Sequence, residues 1–197
     1  MLTLVHAPNS RSSTFIWLLE ELGEPYDIRK VDIRRGDGSG AFDSNNPHPH
    51  GKVPVIIHDG AIVFEQIAII TYLTEAFPKA RLAPLAGDPK RGEFLTLMAY
   101  YAGVMEPAFT AKFMNVVPPR GTAGFPPAEE ALAYITSRLE KSLYIIGDTF
   151  TAADILYGAM FALFLGSPML PETPLLRAYA DRCTARPAYA RASPKGV

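Results

Sequence analysis

Gly51-Lys52-Val53-Pro54-Val55-Ile56-Ile57-His58-Asp59-Gly60-Ala61-Ile62-Val63-Phe64-Glu65-Gln66 is the stretch from which the fold can be worked outward. Two apolar runs, Val53 to Ile57 and Ala61 to Phe64, flank His58-Asp59-Gly60. An Asp-Gly between such runs signals a tight hairpin. From Glu65 to Phe77, Ile67, Ile70, Leu73 and Phe77 fall at helical spacing, and Pro78 closes the segment. Upstream, Leu2-Thr3-Leu4-Val5 reads as a short strand, ended by the turn-like Ala7-Pro8-Asn9-Ser10. Ser12 to Leu22 then sets Phe15, Ile16, Leu18, Leu19 and Leu22 at helical spacings before Gly23 stops the helix, and Tyr26 to Val31 reads as a second strand. Strand, helix, strand over about thirty residues is a βαβ unit with parallel strands. The order is therefore β-α-β, a polar loop from Arg34 to His50, then β-β-α. A small mixed sheet with helices on its faces is the consequence.

Pro78, Pro84, Gly87 and Pro89 mark a linker. We accordingly divide the chain into a first domain over 1–78, a linker over 79–88 and an all-helical domain over 89–197. Glu93 to Val117 predicts a long helix that Pro107 should kink, and Pro118-Pro119 ends it. Glu129 to Ile145, Thr151 to Leu165 and Pro174 to Ala185 predict three more. Thr151-Ala152-Ala153-Asp154 has the form of a capping box, with Asp where Glu is usual. No internal repeat or low-complexity tract is visible.

Composition narrows the function classes. The 197 residues are 48% hydrophobic, enough for a real core in one domain or two small ones. Lys and Arg number 19 against 20 Asp and Glu, a net charge of -1 that argues against an electrostatic grip on nucleic acid or an anionic membrane. The single cysteine, Cys183, excludes an internal disulfide or a Cys-Cys metal or redox pair and points to a reducing compartment. The longest apolar run, Ile155 to Gly166, falls well short of the roughly 20 residues of a membrane span. No basic residue precedes Arg11 and no cleavage signature follows, so the expectation is a soluble, cytoplasmic protein.

Three segments of the first domain carry chemical information. Ala7-Pro8-Asn9-Ser10-Arg11-Ser12-Ser13-Thr14 opens the first helix, where unpaired N–H groups and partial positive charge stabilise an anion such as a thiolate, and hydroxyls can donate directly. The plainer alternative is that Ser10 or Ser12 only caps the helix. In Gly51-Lys52-Val53-Pro54-Val55, a proline at a strand start is compatible with a cis bond that leaves the Val53 N–H and C=O free for an extended peptide ligand. The alternative is an ordinary trans proline beside a solvated Lys52. Phe64-Glu65-Gln66 enters a helix, where a carboxylate and free N–H groups could hold the ammonium and carboxylate of an α-amino acid. Dipole complementation alone would also place Glu there.

Taken together, the order and spacing of these segments resemble the glutathione transferase superfamily in its bacterial-type cytosolic form. The resemblance rests on the βαβ–loop–ββα domain with Lys52-Val53-Pro54 before its third strand, Glu65 in helix-entry position, and helices thereafter. Trp17-Leu18-Leu19-Glu20-Glu21-Leu22-Gly23, Asn46-Pro47, the Thr151–Asp154 box and Arg186-Pro187 are similar to signatures of that family, so it covers essentially the whole chain. It implies a thioredoxin-like domain that binds glutathione as cosubstrate, followed by an all-helical domain. It also implies a cytoplasmic detoxification enzyme, homodimeric, that needs no metal and transfers an alkyl or aryl group of a small apolar electrophile to the glutathione sulfur.

Residue by residue, it implies that Val53, before a cis Pro54, pairs with the cysteinyl backbone. Glu65 and Gln66 would hold the γ-glutamyl end, and Lys52 would approach a carboxylate. Gln66 stands where the family usually has Ser, and His48-Pro49-His50 reads as an insertion. The family places Tyr, Ser or Cys at the end of strand one; with Ala7 there, Ser10 is the first choice for the thiolate partner and Asn9 and Ser12 are the alternates. His6 is read as structural. Two rivals stay open: a non-catalytic binding or regulatory member, and a glutathione-dependent peroxidase or disulfide reductase.

Other features read as structure. His48 and His50 lie two apart in a proline loop with no thiolate near, which does not make a metal site. Gly36 to Gly40 lacks the Lys and context of a phosphate loop. Tyr100, Tyr101, Met105, Phe109, Phe113 and Met114 could line an apolar pocket, but half or more of them are expected in the core or a dimer contact. Phe161 and Phe164 are expected in the core.

Overall fold

Strand β1 (Leu2–His6) is one of the two inner strands of the sheet and pairs on both sides. It runs parallel to β2 (Asp27–Lys30) and antiparallel to β3 (Val55–His58), and β3 pairs with β4 (Ala61–Phe64) to give the order β2-β1-β3-β4. The β3–β4 turn carries positive φ at both Asp59 and Gly60, 48° and 87°, as a two-residue primed turn demands. Helix α1 (Ser13–Leu22) joins β1 to β2 and ends on Gly23 at φ 74°, a left-handed cap that glycine adopts without steric cost. Helix α2 (Gln66–Ala76) follows β4. Leu4, Val5, Phe15, Ile16, Trp17, Val55, Ile56 and Ile69 are fully buried, which gives this small sheet its core.

In this computed structural model, which describes residues 1–195, the chain divides into two units. The first joins Met1–Ala80 with the segment from Pro187 onward, and the second is Arg81–Arg186. A helix not expected from the sequence, α8 (Pro187–Ala192), therefore packs in the first unit, with Tyr189 edge-on to Trp17 at 5.0 Å. The same surface holds an ion cluster. Glu20 accepts from Lys195 at 2.6 Å, from the Tyr26 hydroxyl at 2.7 Å and from Arg191 at 2.9 Å.

The second unit is helical throughout: α3 (Arg91–Tyr100), α4 (Glu106–Phe113), α5 (Ala128–Leu139), α6 (Ala152–Phe164) and α7 (Pro174–Thr184). The long helix expected over Glu93 to Val117 is interrupted by a π-turn over Tyr101–Met105. Pro107, in the first turn of α4, has no N–H to donate backward, and the wider turn before it absorbs the mismatch. Helix α6 opens with the expected capping box. Buried Asp154 accepts from Thr151 N–H and Ile145 N–H, both at 2.8 Å, and from the Tyr179 hydroxyl at 2.8 Å. Tyr101, Met105, Phe109 and Phe161 are core, and Tyr100 is half-buried against Tyr134. Phe164 is 40% exposed, contrary to expectation, because α6 ends there and the chain turns away.

Burial of Glu20 opposes its ionisation, yet the hydrogen bonds from Lys195, Tyr26 and Arg191 prevail and hold its carboxyl down at about 2. A depressed folded-state pKa stabilises above the unfolded value of 4.5 and ceases to do so as pH falls through about 2. Glu20→Gln should therefore lower unfolding free energy by about 1–3 kcal/mol at neutral pH. Urea titrations repeated downward from pH 5 should show wild type and variant converging as the acid limit is approached.

Candidate functional site

The strand register brings the three informative segments together. Val5 pairs with Val55, and Val55 pairs with Phe64. The end of β1, the start of β3 and the end of β4 therefore lie side by side at one end of the sheet. The turn after His6, the Val53-Pro54 entry and Glu65 are the next residues along each chain segment, so they share that end.

Val53–Pro54 is cis. The Val53 side chain packs against the Val5, Val31 and Val55 cluster, while its N–H and C=O have no hydrogen-bond partner among the described residues. The loop before it is built around Asn46, which is buried. Its Oδ1 accepts the His48 N–H at 3.0 Å and its amide donates to the Lys52 carbonyl at 3.0 Å, clamping 47–51 from both ends. Gly51 follows at φ 60°, and a Cβ there would meet the Phe42 ring at 2.9 Å, so only glycine fits without displacement. Lys52 itself is exposed.

Glu65 is the N-cap of α2 rather than its first helical residue, with φ 69° and ψ 127°. Such a backbone is uncommon outside glycine and is worth noticing wherever it occurs. It swings the Glu65 side chain away from the helix axis and leaves it three-quarters exposed, while the first-turn amides from Gln66 onward open the helix beside it. His48, read from the sequence only as a loop histidine, lies with Nε2 3.9 Å from Glu65 Oε1 and its ring 4.9 Å from Phe64. The His50 N–H donates to His48 Nδ1 at 3.0 Å, which assigns the ring proton to Nε2, facing Glu65. Burial lowers the His48 pKa and Glu65 works against it.

At the third segment Asn9 is exposed at φ 54°, at the tip of the turn. Arg35 donates to the Pro8 carbonyl at 2.9 Å and the Asn9 carbonyl at 3.3 Å, which pins the turn and sets a guanidinium beside it. Ser10 is half-buried and donates its hydroxyl proton to the Ala7 carbonyl at 2.7 Å. Ser12 is the N-cap residue of α1 but makes no side-chain cap bond, because its φ −69° and ψ −17° are already helical. Its hydroxyl turns inward to His6 Nδ1 at 2.8 Å and Ser10 Oγ at 2.7 Å, and it is fully buried. Of the three hydroxyl and amide candidates, Ser10 and Asn9 thus stand at the surface of the turn and Ser12 stands behind it.

Comparison with known proteins places this geometry in a family. Residues 1–75 match the glutathione S-transferase N-terminal domain and 104–187 the glutathione S-transferase C-terminal domain. The chain belongs to the glutathione S-transferase family. An Arabidopsis thaliana glutathione S-transferase is 30% identical over 186 residues, spanning 81% of this chain and 80% of the relative. Glutathione S-transferase 3 of Schizosaccharomyces pombe is 28% identical over 78% of this chain and 70% of its own. Among solved structures, a sphingomonad glutathione S-transferase complexed with glutathione superposes with TM-score 0.78 at 26% identity, covering 98% of each chain. The architecture is that of the family: a thioredoxin-like N-terminal domain followed by a helical one.

The Asn46 clamp has a measurable weight. Asn46→Ala leaves the Lys52 carbonyl and the His48 N–H without their partner and should cost about 1–3 kcal/mol in urea unfolding. Hydrogen exchange should quicken first in 47–52, ahead of the central strand.

Proposed function

We propose that the chain is a glutathione transferase enzyme that binds glutathione at this end of the sheet and promotes attack of its thiolate on a small apolar electrophile. The observation that supports this most is the convergence, by register alone, of an unpaired Val53 backbone, an exposed Glu65 at a helix entrance and the Ser10 turn. An extended tripeptide with two carboxylates and one ammonium meets complementary groups at each. Val53 N–H and C=O pair with the cysteinyl backbone as an added strand would. The Glu65 carboxylate takes the γ-glutamyl ammonium, while the amides and side chain of Gln66 take the α-carboxylate. Lys52 approaches the remaining carboxylate as a point charge.

The chemical task is ionisation of the thiol. A free thiol of pKa about 8.5 is only a few per cent thiolate at neutral pH. Lowering it by about two units requires about 2.7 kcal/mol of preference for the anion. One charge-assisted hydrogen bond contributes roughly 1.5–3 kcal/mol and the α1 N-terminus about 0.3–1. Ser10 is assigned as donor, with Asn9 as the alternate. Because the Ser10 proton rests on the Ala7 carbonyl, it must rotate about Cβ–Oγ to reach a sulfur. That same engagement is what favours the second reading, a glutathione-binding member without transferase activity. The proposal extends to a cytoplasmic homodimer, for which exposed Ile62 and Phe64 supply apolar surface on the β4 edge.

Calorimetry tests binding: glutathione should bind saturably, and Glu65→Ala should weaken it by at least about 1.5 kcal/mol. Absence of heat at millimolar ligand would remove the proposal. Thiolate absorbance against pH tests catalysis. Ser10→Ala should raise the bound thiol's pKa and slow turnover with a general electrophile by about ten- to a hundredfold, leaving glutathione affinity nearly unchanged. A shift in Asn9→Ala instead would reassign the donor, and identical curves for all variants would select the non-catalytic reading.

A further inference from the structure

Behind the Ser10 turn lies a hydrogen-bonded cluster that neither the family match nor the binding scheme uses. His6 and Ser12 are both essentially inaccessible, at 1% and 0% exposure. Their contacts run in a line: His6 Nδ1 to Ser12 Oγ at 2.8 Å, Ser12 Oγ to Ser10 Oγ at 2.7 Å, and Ser10 Oγ to the Ala7 carbonyl at 2.7 Å. Ala7 N–H and Ser12 N–H donate to Ser12 Oγ and Ser10 Oγ, each at 3.2 Å, and the Ala7 carbonyl also lies 3.2 Å from Ser12 Oγ.

The proton positions follow from counting. A carbonyl has no proton, so the 2.7 Å contact between Ser10 and Ala7 must hold the Ser10 hydroxyl proton. Ser10 then has none left for Ser12, and the Ser12 proton is placed on the 2.7 Å contact with Ser10 rather than on the longer 3.2 Å contact with the Ala7 carbonyl, which Ser10 already occupies. Ser12 in turn has none for His6, so the imidazole carries its proton on Nδ1 and donates. Every donor in the line points the same way, from the buried ring toward the turn. A base would show the opposite polarity, with a lone pair on Nδ1 facing Ser12.

We propose that His6 and Ser12 are positioning residues that polarise the Ser10 hydroxyl, so that the line ends on the glutathione sulfur in place of the Ala7 carbonyl when the thiolate is bound. This rests on the assignment of Ser10 as thiolate donor. Hydrogen bonds aligned in series strengthen one another, by about 10–30% per bond. The thiol's own proton leaves to bulk water; the imidazole neither gains nor loses one. Burial, and next the Lys30 ammonium across the β1–β2 pair, lower the His6 pKa and so favour the neutral ring. Lys30 is the cross-strand neighbour, Ser12 and Ser10 face the ring's side of the turn, and no carboxylate makes a hydrogen bond or ion pair with the ring among the described residues.

Three measurements test it. Nitrogen NMR of the ligand-free protein should show His6 Nδ1 protonated; an unprotonated Nδ1 would overturn the proposal before any kinetics. His6→Phe, which removes the donor at similar volume, should raise the pKa of bound glutathione and reduce kcat near neutrality by about two- to fivefold, with KM for glutathione changed less than twofold. His6→Asn, whose amide N–H stands near the Nδ1 position, should restore most of the loss, as a merely structural role would not. If His6→Phe fails to fold, Ser12→Ala removes the middle link by deleting one oxygen, and the same shift is expected. An unchanged curve for both variants beside a shifted one for Ser10→Ala overturns the relay and leaves Ser10 in place. An unchanged curve for Ser10→Ala removes the thiolate donor itself and the relay with it.

Discussion

The pairing of Val5 with Val55 and of Val55 with Phe64 is the interaction on which the candidate site depends. Side chains alternate across a strand, so a one-residue slip in either ladder would exchange every side chain between the two faces of the sheet. Leu4, Val5, Val55 and Ile56 are fully buried, so both faces of the two inner strands are packed and a slip would misfit each, while the Asp59-Gly60 turn sets the register of β3 with β4. Nothing at the site needs to be held by its own contacts alone. The turn after β1, the entry to β3 and the exit of β4 are carried to their places by a buried core, which is how rigid elements position loops.

In the proposed binding scheme recognition is mostly a backbone matter. Val53 offers main-chain groups, and the amides of α2 and α1 are main-chain groups as well. Side chains refine what the backbone begins. Asn46 fixes the path of 47–51, Arg35 fixes the Pro8-Asn9 turn through two carbonyls, and His48 faces Glu65 across 3.9 Å. A main-chain site tolerates sequence change as long as the path of the chain survives. On that scheme Gln66 can stand where the family commonly has Ser, because the helix entrance persists.

What was legible in the sequence was what is local. Asp59-Gly60 between two apolar runs, Gly23 after an apolar helix and Thr151 with Asp154 each declare themselves within a few residues, and each is where the sequence put it. Glu65 was legible as a residue of interest but not as a left-handed N-cap, because a positive φ at Glu has no local signature. His48 was dismissed as a loop histidine; its orientation is set by Asn46 reaching the Lys52 carbonyl and by the His50 amide, bonds that exist only once the loop has closed. Ser12 is legible as an alternate thiolate partner or a helix cap, whereas its hydroxyl belongs to a buried line ending on His6. Helix α8 was missed because it is short and draws its stability from Trp17 and Glu20, more than 160 positions away along the chain.

That last contact bears on how the protein is made. Residues 187–195 contribute Tyr189, Arg191 and Lys195 to a unit whose other 80 residues leave the ribosome first. The nascent sheet and its helices can form early, but Glu20 waits without its cationic partners, and the Trp17 surface waits uncovered, until residues 187–195 have been made. The second unit is, in sequence, an insertion between the parts of the first. A chain stopped at Arg186 would hold every residue of the candidate site and still lack the piece that seals the back of α1.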